Sequence, residues 1–269
     1  MAGYKKKRAR ELQHDRFRDT TIGLFDRLSQ NLEGKGRAII YGLVAVLAAA
    51  AIVGFMVRWN NRKTNEARAA LGRAISIATT PVSPTPEPGS STPGFNSEQE
   101  RAQKAIEEFQ KVAAKYGDPY RTDARYFIAT NLLYVDRSKG LSELADLSKS
   151  SDKAVATLAR FALAQAYEAE GKFVEAAALY ADVAKLNSVM ITPDTANFFL
   201  AIVYKKQGKK KEAADLLLNI VEATRKAKDR DGAPLPQPAA ARDAAQELQK
   251  LDPERFAQLS PEAPPSLGF

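Results

Sequence analysis

The chain has 269 residues, no cysteine, one histidine and a formal net charge of +8. Lack of Cys excludes disulfides, thiolate zinc sites and thiol catalysis, and the lone His14 cannot supply a general base or a ligand set to the rest of the chain. The basic excess is uneven. Residues 1–37 carry ten Lys/Arg against five Asp/Glu, while residues 58–269 carry thirty against twenty-seven, so the large remainder lacks the concentrated basic face of a nucleic-acid binder.

Residues 1–37 open with KKKRAR and continue with Phe17, Thr21, Leu24, Phe25, Leu28 and Leu32 at helical spacing. Two readings stay open, an amphipathic helix on a membrane surface or a solvated tail; the Thr20–Thr21 cap favours helix and Gly23 opposes it. Residues 38–57, AIIYGLVAVLAAAAIVGFMV, hold 20 positions without a charge. As a helix rising about 1.5 Å per residue they cover roughly 30 Å, and the reading is a single uncleaved transmembrane helix with Tyr41 and Trp59 as membrane-interface residues. Lys/Arg counts on either side are balanced, so the orientation rests on the KKKRAR cluster. It places the N-terminus in the cytoplasm and the remainder in the bacterial periplasm, as a single-pass inner-membrane protein; repeats facing the cytoplasm are the alternative.

Residues 58–251 are expected to form one helical domain. Arg58 to Ala78 has no strong breaker, so the first helix is expected to run on from the apolar stretch. PVSPTPEPGSSTPGFN, residues 81–96, is too rich in proline and glycine to pack a core and reads as an extended insertion. From Ser97 to Leu251 apolar residues recur three and four apart, with polar breaks at 117–119, 138–140, 148–151, 171, 187–193, 208 and 229–238 and no credible strand. The Pro-rich residues 252–269 read as a tail.

Within this domain Phe161–Tyr180, FALAQAYEAEGKFVEAAALY, falls on Phe198–Leu217, FFLAIVYKKQGKKKEAADLL, at a shift of 37. Leu163, Ala164, Tyr167, Gly171, Ala176 and Tyr180 match Leu200, Ala201, Tyr204, Gly208, Ala213 and Leu217. The small residues let two helices approach, the large ones fill between pairs, and the glycine turns the chain. This pattern resembles the tetratricopeptide repeat family. Weaker copies lie at Ala105–Tyr120, at Asp123–Val135 with Leu141–Lys149, and on Leu71, Gly72 and Ile75; Ala240–Leu251 suits a capping helix. The expected fold class is all-α, one transmembrane helix followed by an α-solenoid of about three to four tetratricopeptide-like hairpins.

The resemblance implies a binding face on the first helices of successive hairpins: Tyr126, Thr130, Phe161, Gln165, Glu168, Phe198, Ile202 and Lys205. Tyr126, Phe161 and Phe198 recur at one slot and suggest an aromatic groove for a polypeptide segment; packing of these rings against a neighbouring helix is the alternative. The Lys and Asn of a two-carboxylate clamp are replaced by Phe161 and Gln165. In architecture the chain is similar to the YfgM-like ancillary subunits of the bacterial Sec translocon, which implies a chaperone-associated helper near the translocon that binds proteins or unfolded segments. A structural accessory subunit held through its span is the rival. No phosphate loop, G-x-S-x-G or H-E-x-x-H motif is present, so neither enzyme activity nor a cofactor is expected.

Overall fold

The computed structural model describes residues 36–83, 94–230 and 232–260, except the side chains of residues 36–49 and 57. The expected tail helix, the side chain of Tyr41, most of the Pro-rich insertion and half of the C-terminal tail lie outside them.

Among the described residues the chain is all-α. Its helices are α1 (Gly36–Ala78), α2 (Glu98–Lys115), α3 (Tyr120–Val135), α4 (Arg137–Leu147), α5 (Lys153–Ala169), α6 (Phe173–Lys185), α7 (Pro193–Lys206), α8 (Lys210–Lys226), α9 (Ala239–Leu251) and α10 (Pro253–Ala257). Extended pairing is limited to isolated bridges. One joins Val82 to Phe95 and ties the two described ends of the Pro-rich insertion.

The chain divides into two units, residues 1–66 and 67–269. In the first, Ile52, Val53, Phe55, Met56 and Trp59 are exposed. Here the membrane expectation is overturned. No helix among the described residues is long and apolar enough to cross a membrane. From Arg58 onward the same helix turns polar, with Arg58, Arg62, Lys63 and Glu66 within nine residues. The single transmembrane helix, and the inner-membrane, single-pass localisation built on it, are therefore withdrawn.

The second unit is a stack of helical hairpins whose ends are fixed by local chemistry. Ser97 caps α2, its hydroxyl accepting from the Glu100 amide at 3.1 Å while the Glu100 carboxylate accepts from the Asn96 amide at 3.0 Å. Asp152 accepts from the amides of Ala154 and Val155 to start α5, and Thr192 caps α7 with Pro193 behind it. Gly171 and Gly208 hold φ of 73° and 79°. Both close the same turn: the Lys172 amide donates to the Tyr167 carbonyl and the Lys209 amide to the Tyr204 carbonyl, each at 2.9 Å.

The aligned residues behave alike. Ala164, Ala201, Ala176 and Ala213 are fully buried, and Tyr180 and Leu217 fill matching positions between hairpins. The first hairpin is completed by the end of α1, where Ala74 with Ala70, Leu71, Ile75 and Ala78 packs on Phe109 and Val112 of α2 and Ala124 of α3. Gly72 is exposed, so Ala74 and not Gly72 makes the close contact.

Two breaks differ from expectation. Asp136 alone separates α3 from α4, accepting from the Lys139 amide at 3.2 Å, and Gly140 lies inside α4. At the other end the packed domain continues past Leu251. Phe256 and Leu259 cover the core formed by α8 and α9, so residues 253–260 belong to the cap.

Candidate protein-binding surface

The residues expected to form a groove lie on α3, α5 and α7, the first helices of three successive hairpins. Phe161, Gln165 and Glu168 share one stripe of α5. At about 100° per residue that stripe is turned away from Leu163 and Tyr167, which pack in the core. Phe198, Ile202 and Lys205 repeat the stripe on α7, and Tyr126 and Thr130 begin it on α3.

The side chains at the three aromatic slots are structural as well as surface residues. Phe161 meets Tyr180 edge-on at 5.5 Å and Phe199 at 5.2 Å, and Phe198 meets Phe199 at 5.5 Å. Phe198 also packs against the core of α8 and α9. Tyr126 sits half-buried against the cluster formed by α3, α4 and α5, and burial pushes its phenol up from the ordinary value. Packing of the rings against neighbouring helices, the alternative read from sequence, is therefore what the structure displays at these slots.

The polar members divide. The Thr130 hydroxyl donates to the Phe127 carbonyl at 3.0 Å and so is used within its own helix. Gln165 is exposed and Ile202 half-buried. Glu168 is largely covered; it accepts from the Tyr180 hydroxyl at 3.0 Å and from Lys206 Nζ at 2.7 Å, which joins α5, α6 and α7 through one carboxylate. Lys205 is tied to Glu247 of α9 at 2.5 Å, which sets α9 at the C-terminal border of the stripe. Hydrogen bonds from Lys205 and then Lys250 hold the Glu247 carboxyl below the usual range.

Several surface features were not foreseen. Arg137 of α4 donates to Glu170 Oε1 at 2.7 Å and to the Ala166 carbonyl at 2.9 Å, and Lys172 reaches the other Glu170 oxygen at 2.8 Å. With Glu168–Lys206 and Lys205–Glu247 these pairs form a ladder along the ends of the first helices. Tyr134 is half exposed at the end of α3, and Val189, in the loop between α6 and α7, is 94% exposed. Trp59 is half exposed and lies 5.5 Å from the Phe55 ring, with Lys63 Nζ over its own ring.

Among the described residues, no three His, Asp or Glu side chains gather as a metal site. A cleft of about 120 Å³ lies between α8 and residues 258–260, well below the size of ordinary small-molecule sites, roughly 300 Å³ and up.

Hairpins with the same glycine turn, the same buried alanines and a constant shift of 37 residues make the second unit an all-α helical-repeat solenoid that resembles tetratricopeptide repeats. No family model matches the chain, and no curated protein matches it. A solved structure of the nearly identical TPR-like repeats of a kinesin-light-chain-type protein from Podosopora anserina is 17% identical, covers 71% of this chain and 87% of its own, and superposes with a TM-score of 0.44.

Proposed function

We propose that the repeat domain is a protein-binding adaptor that takes a polypeptide segment along the stripe shared by α3, α5 and α7. The observation that carries this reading is the stripe itself. Three successive first helices present the same slots, with Gln165 exposed and Ile202 half-buried. Repeat solenoids place such a surface along their first helices, and extended segments can lie across several repeats. Phe161 and Phe198 form the floor, Thr130, Gln165 and Ile202 the contacts, and Glu168 and Lys205 a charged edge already braced by Lys206 and Glu247. A finer reading, a chaperone-associated helper holding unfolded segments, is supported by the lack of any clamp for a defined terminus at Phe161 and Gln165.

A photo-crosslinking residue introduced at Gln165 or Ile202 of the full chain tests this, with reduced, carboxymethylated lactalbumin as the unfolded probe. Crosslinks should form from these positions and not from Ala178 on α6 or Asn219 on α8, which are exposed on second helices. Equal crosslinking from all four would overturn the reading.

A further inference from the structure

The turn between α7 and α8 concentrates positive charge, only part of which the domain pairs. Lys205, Lys206, Lys209, Lys210 and Lys211 fall within one short stretch, followed by a single acid, Glu212. The first two are answered, by Glu247 and Glu168. Lys209 Nζ lies 5.2 Å over the Tyr204 ring. Lys210 and Lys211 are exposed and meet no carboxylate among the described residues.

Three acids at the neighbouring helix ends are already engaged, whereas Glu175 and Glu212 are exposed. Glu168 is held by Lys206 and Tyr180, Glu170 by Lys172 and Arg137, and Glu247 by Lys205 and Lys250. The turn 37 residues earlier has the same backbone, but there Glu170 neutralises the local charge. The surplus is thus a property of one turn and not of the fold. It also does nothing for helix stability, because cations at the start of α8 oppose the helix dipole.

An apolar foothold lies alongside. Lys206 Nζ stands 6.0 Å over the Phe173 ring, which sets the start of α6 beside the end of α7, and the next residue, Val174, is 74% exposed. The geometry points to a docking surface for an acidic polypeptide segment, whose Asp and Glu carboxylates meet Lys209, Lys210 and Lys211 while an aliphatic side chain rests on Val174. A nucleic acid is disfavoured, since the turn has no arginine and its Tyr204 ring is covered by Lys209 instead of being open for stacking. A lipid surface would want several insertable apolar side chains, and this turn offers one. The surface is separate from the Gln165–Ile202 stripe and its test does not depend on that reading.

The full chain is titrated against a fluorescein-labelled 15-residue peptide that alternates glutamate and serine around a central leucine. Comparison probes are the same peptide with Gln for Glu, phosphatidylglycerol vesicles and an oligouridylate. The acidic peptide should bind and weaken steeply with added salt. Lys210→Glu with Lys211→Glu should cost about tenfold or more, and Val174→Asp several-fold. The control pair Lys149→Glu with Lys153→Glu, exposed elsewhere, should change affinity by less than about twofold. Circular dichroism confirms that each variant is folded. No binding of the acidic peptide, equal binding of the Gln peptide, or an equal loss in the control pair overturns the proposal. Tighter binding of vesicles or oligouridylate through the same lysines overturns the polypeptide assignment.

Discussion

The buried hydroxyl of Tyr180 donates to Glu168 at 3.0 Å, so that one phenol on α6 orients a carboxylate on α5, which in turn receives Lys206 from α7. The ring has no exposed surface, and removing it to alanine should leave a cavity costing about 3–5 kcal/mol. Tyr180→Phe keeps the volume and loses only the hydrogen bond, an expected cost of about 1 kcal/mol because Lys206 still serves Glu168. For a domain of this size that is about 2–4 °C in Tm, readable by calorimetry.

The same pair sets a dependence on alkaline pH. Burial, then the charge of Glu168 and the hydrogen bond to it, push the Tyr180 phenol far up from its ordinary value of 10.0. An unfolded tyrosine releases its proton near pH 10 while the folded one retains it, so the native state binds more protons and stability falls as pH rises beyond about 10. Tyr180→Phe should have a shallower loss of Tm between pH 9 and 11 than the wild type, to within the limits of reversible unfolding. Equal slopes would remove Tyr180 as a source of the effect.

Much of the repeat architecture was legible because it depends on residues whose size is fixed by packing. Ala164 and Ala201, or Gly171 and Gly208, can be matched by eye, and the structure gives each pair the same burial or the same left-handed backbone. Gly140 was misread for a related reason. A glycine between polar residues looks like a chain break, yet here it sits within α4 because another helix passes close by, a demand that no local pattern records. The ion pairs were likewise invisible, since Arg137–Glu170 and Lys205–Glu247 join residues 33 and 42 apart. At the binding stripe, helical spacing located the slots of Phe161 and Phe198 but could not show that Phe199 and Tyr180 cover their edges. The apolar run at 38–57 reads as a span from its length, its lack of charge and its flanking residues, yet no helix among the described residues is long and apolar enough to cross a membrane.

Gly140 supports a sharp prediction. A methyl group added there would fall 2.9 Å from the backbone nitrogen of Leu133 and 3.0 Å from the carbonyl oxygen of Ala129. These are backbone atoms of α3 and cannot swing aside, so α4 must move. Gly140→Ala should destabilise by about 1–3 kcal/mol despite alanine's better helix propensity. Gly72→Ala, at an exposed helical site with open space around it, should instead be neutral or mildly stabilising. Denaturant midpoints of the two variants separate packing from propensity.

The carboxylates of the ladder should make the domain sensitive to acid. Glu170 is held below the ordinary carboxylate range by hydrogen bonds from Lys172 and then Arg137, and Glu247 by those from Lys205 and then Lys250. Since both are depressed in the folded state, their contribution is present above the unfolded value near pH 4.3 and is lost as pH falls through the folded one. The Tm of Glu170→Gln with Glu247→Gln should lie below the wild type at pH 6 and converge with it towards pH 3. Parallel curves across that range would show that the two acids are not linked to folding.

The C-terminal cap is the last element that can be tested alone. Arg255 pairs with Asp215 and with Asp252, Arg225 donates to the Ser260 carbonyl and lies 5.9 Å from the Phe256 ring, and Phe256 and Leu259 shield the core of α8 and α9. Exposed pairs of this kind are worth about 0–1 kcal/mol, whereas the two apolar side chains remove area from water at about 25 cal/mol per Å². Phe256→Ala should therefore cost more than Asp215→Asn, about 1–3 kcal/mol against less than 1. If the order is reversed, the cap is held by charge and not by burial. A truncation after Asp252 should behave as the sum of both losses and expose Leu217 and Leu248 to a hydrophobic dye, a readout that a surface ion pair alone would not move.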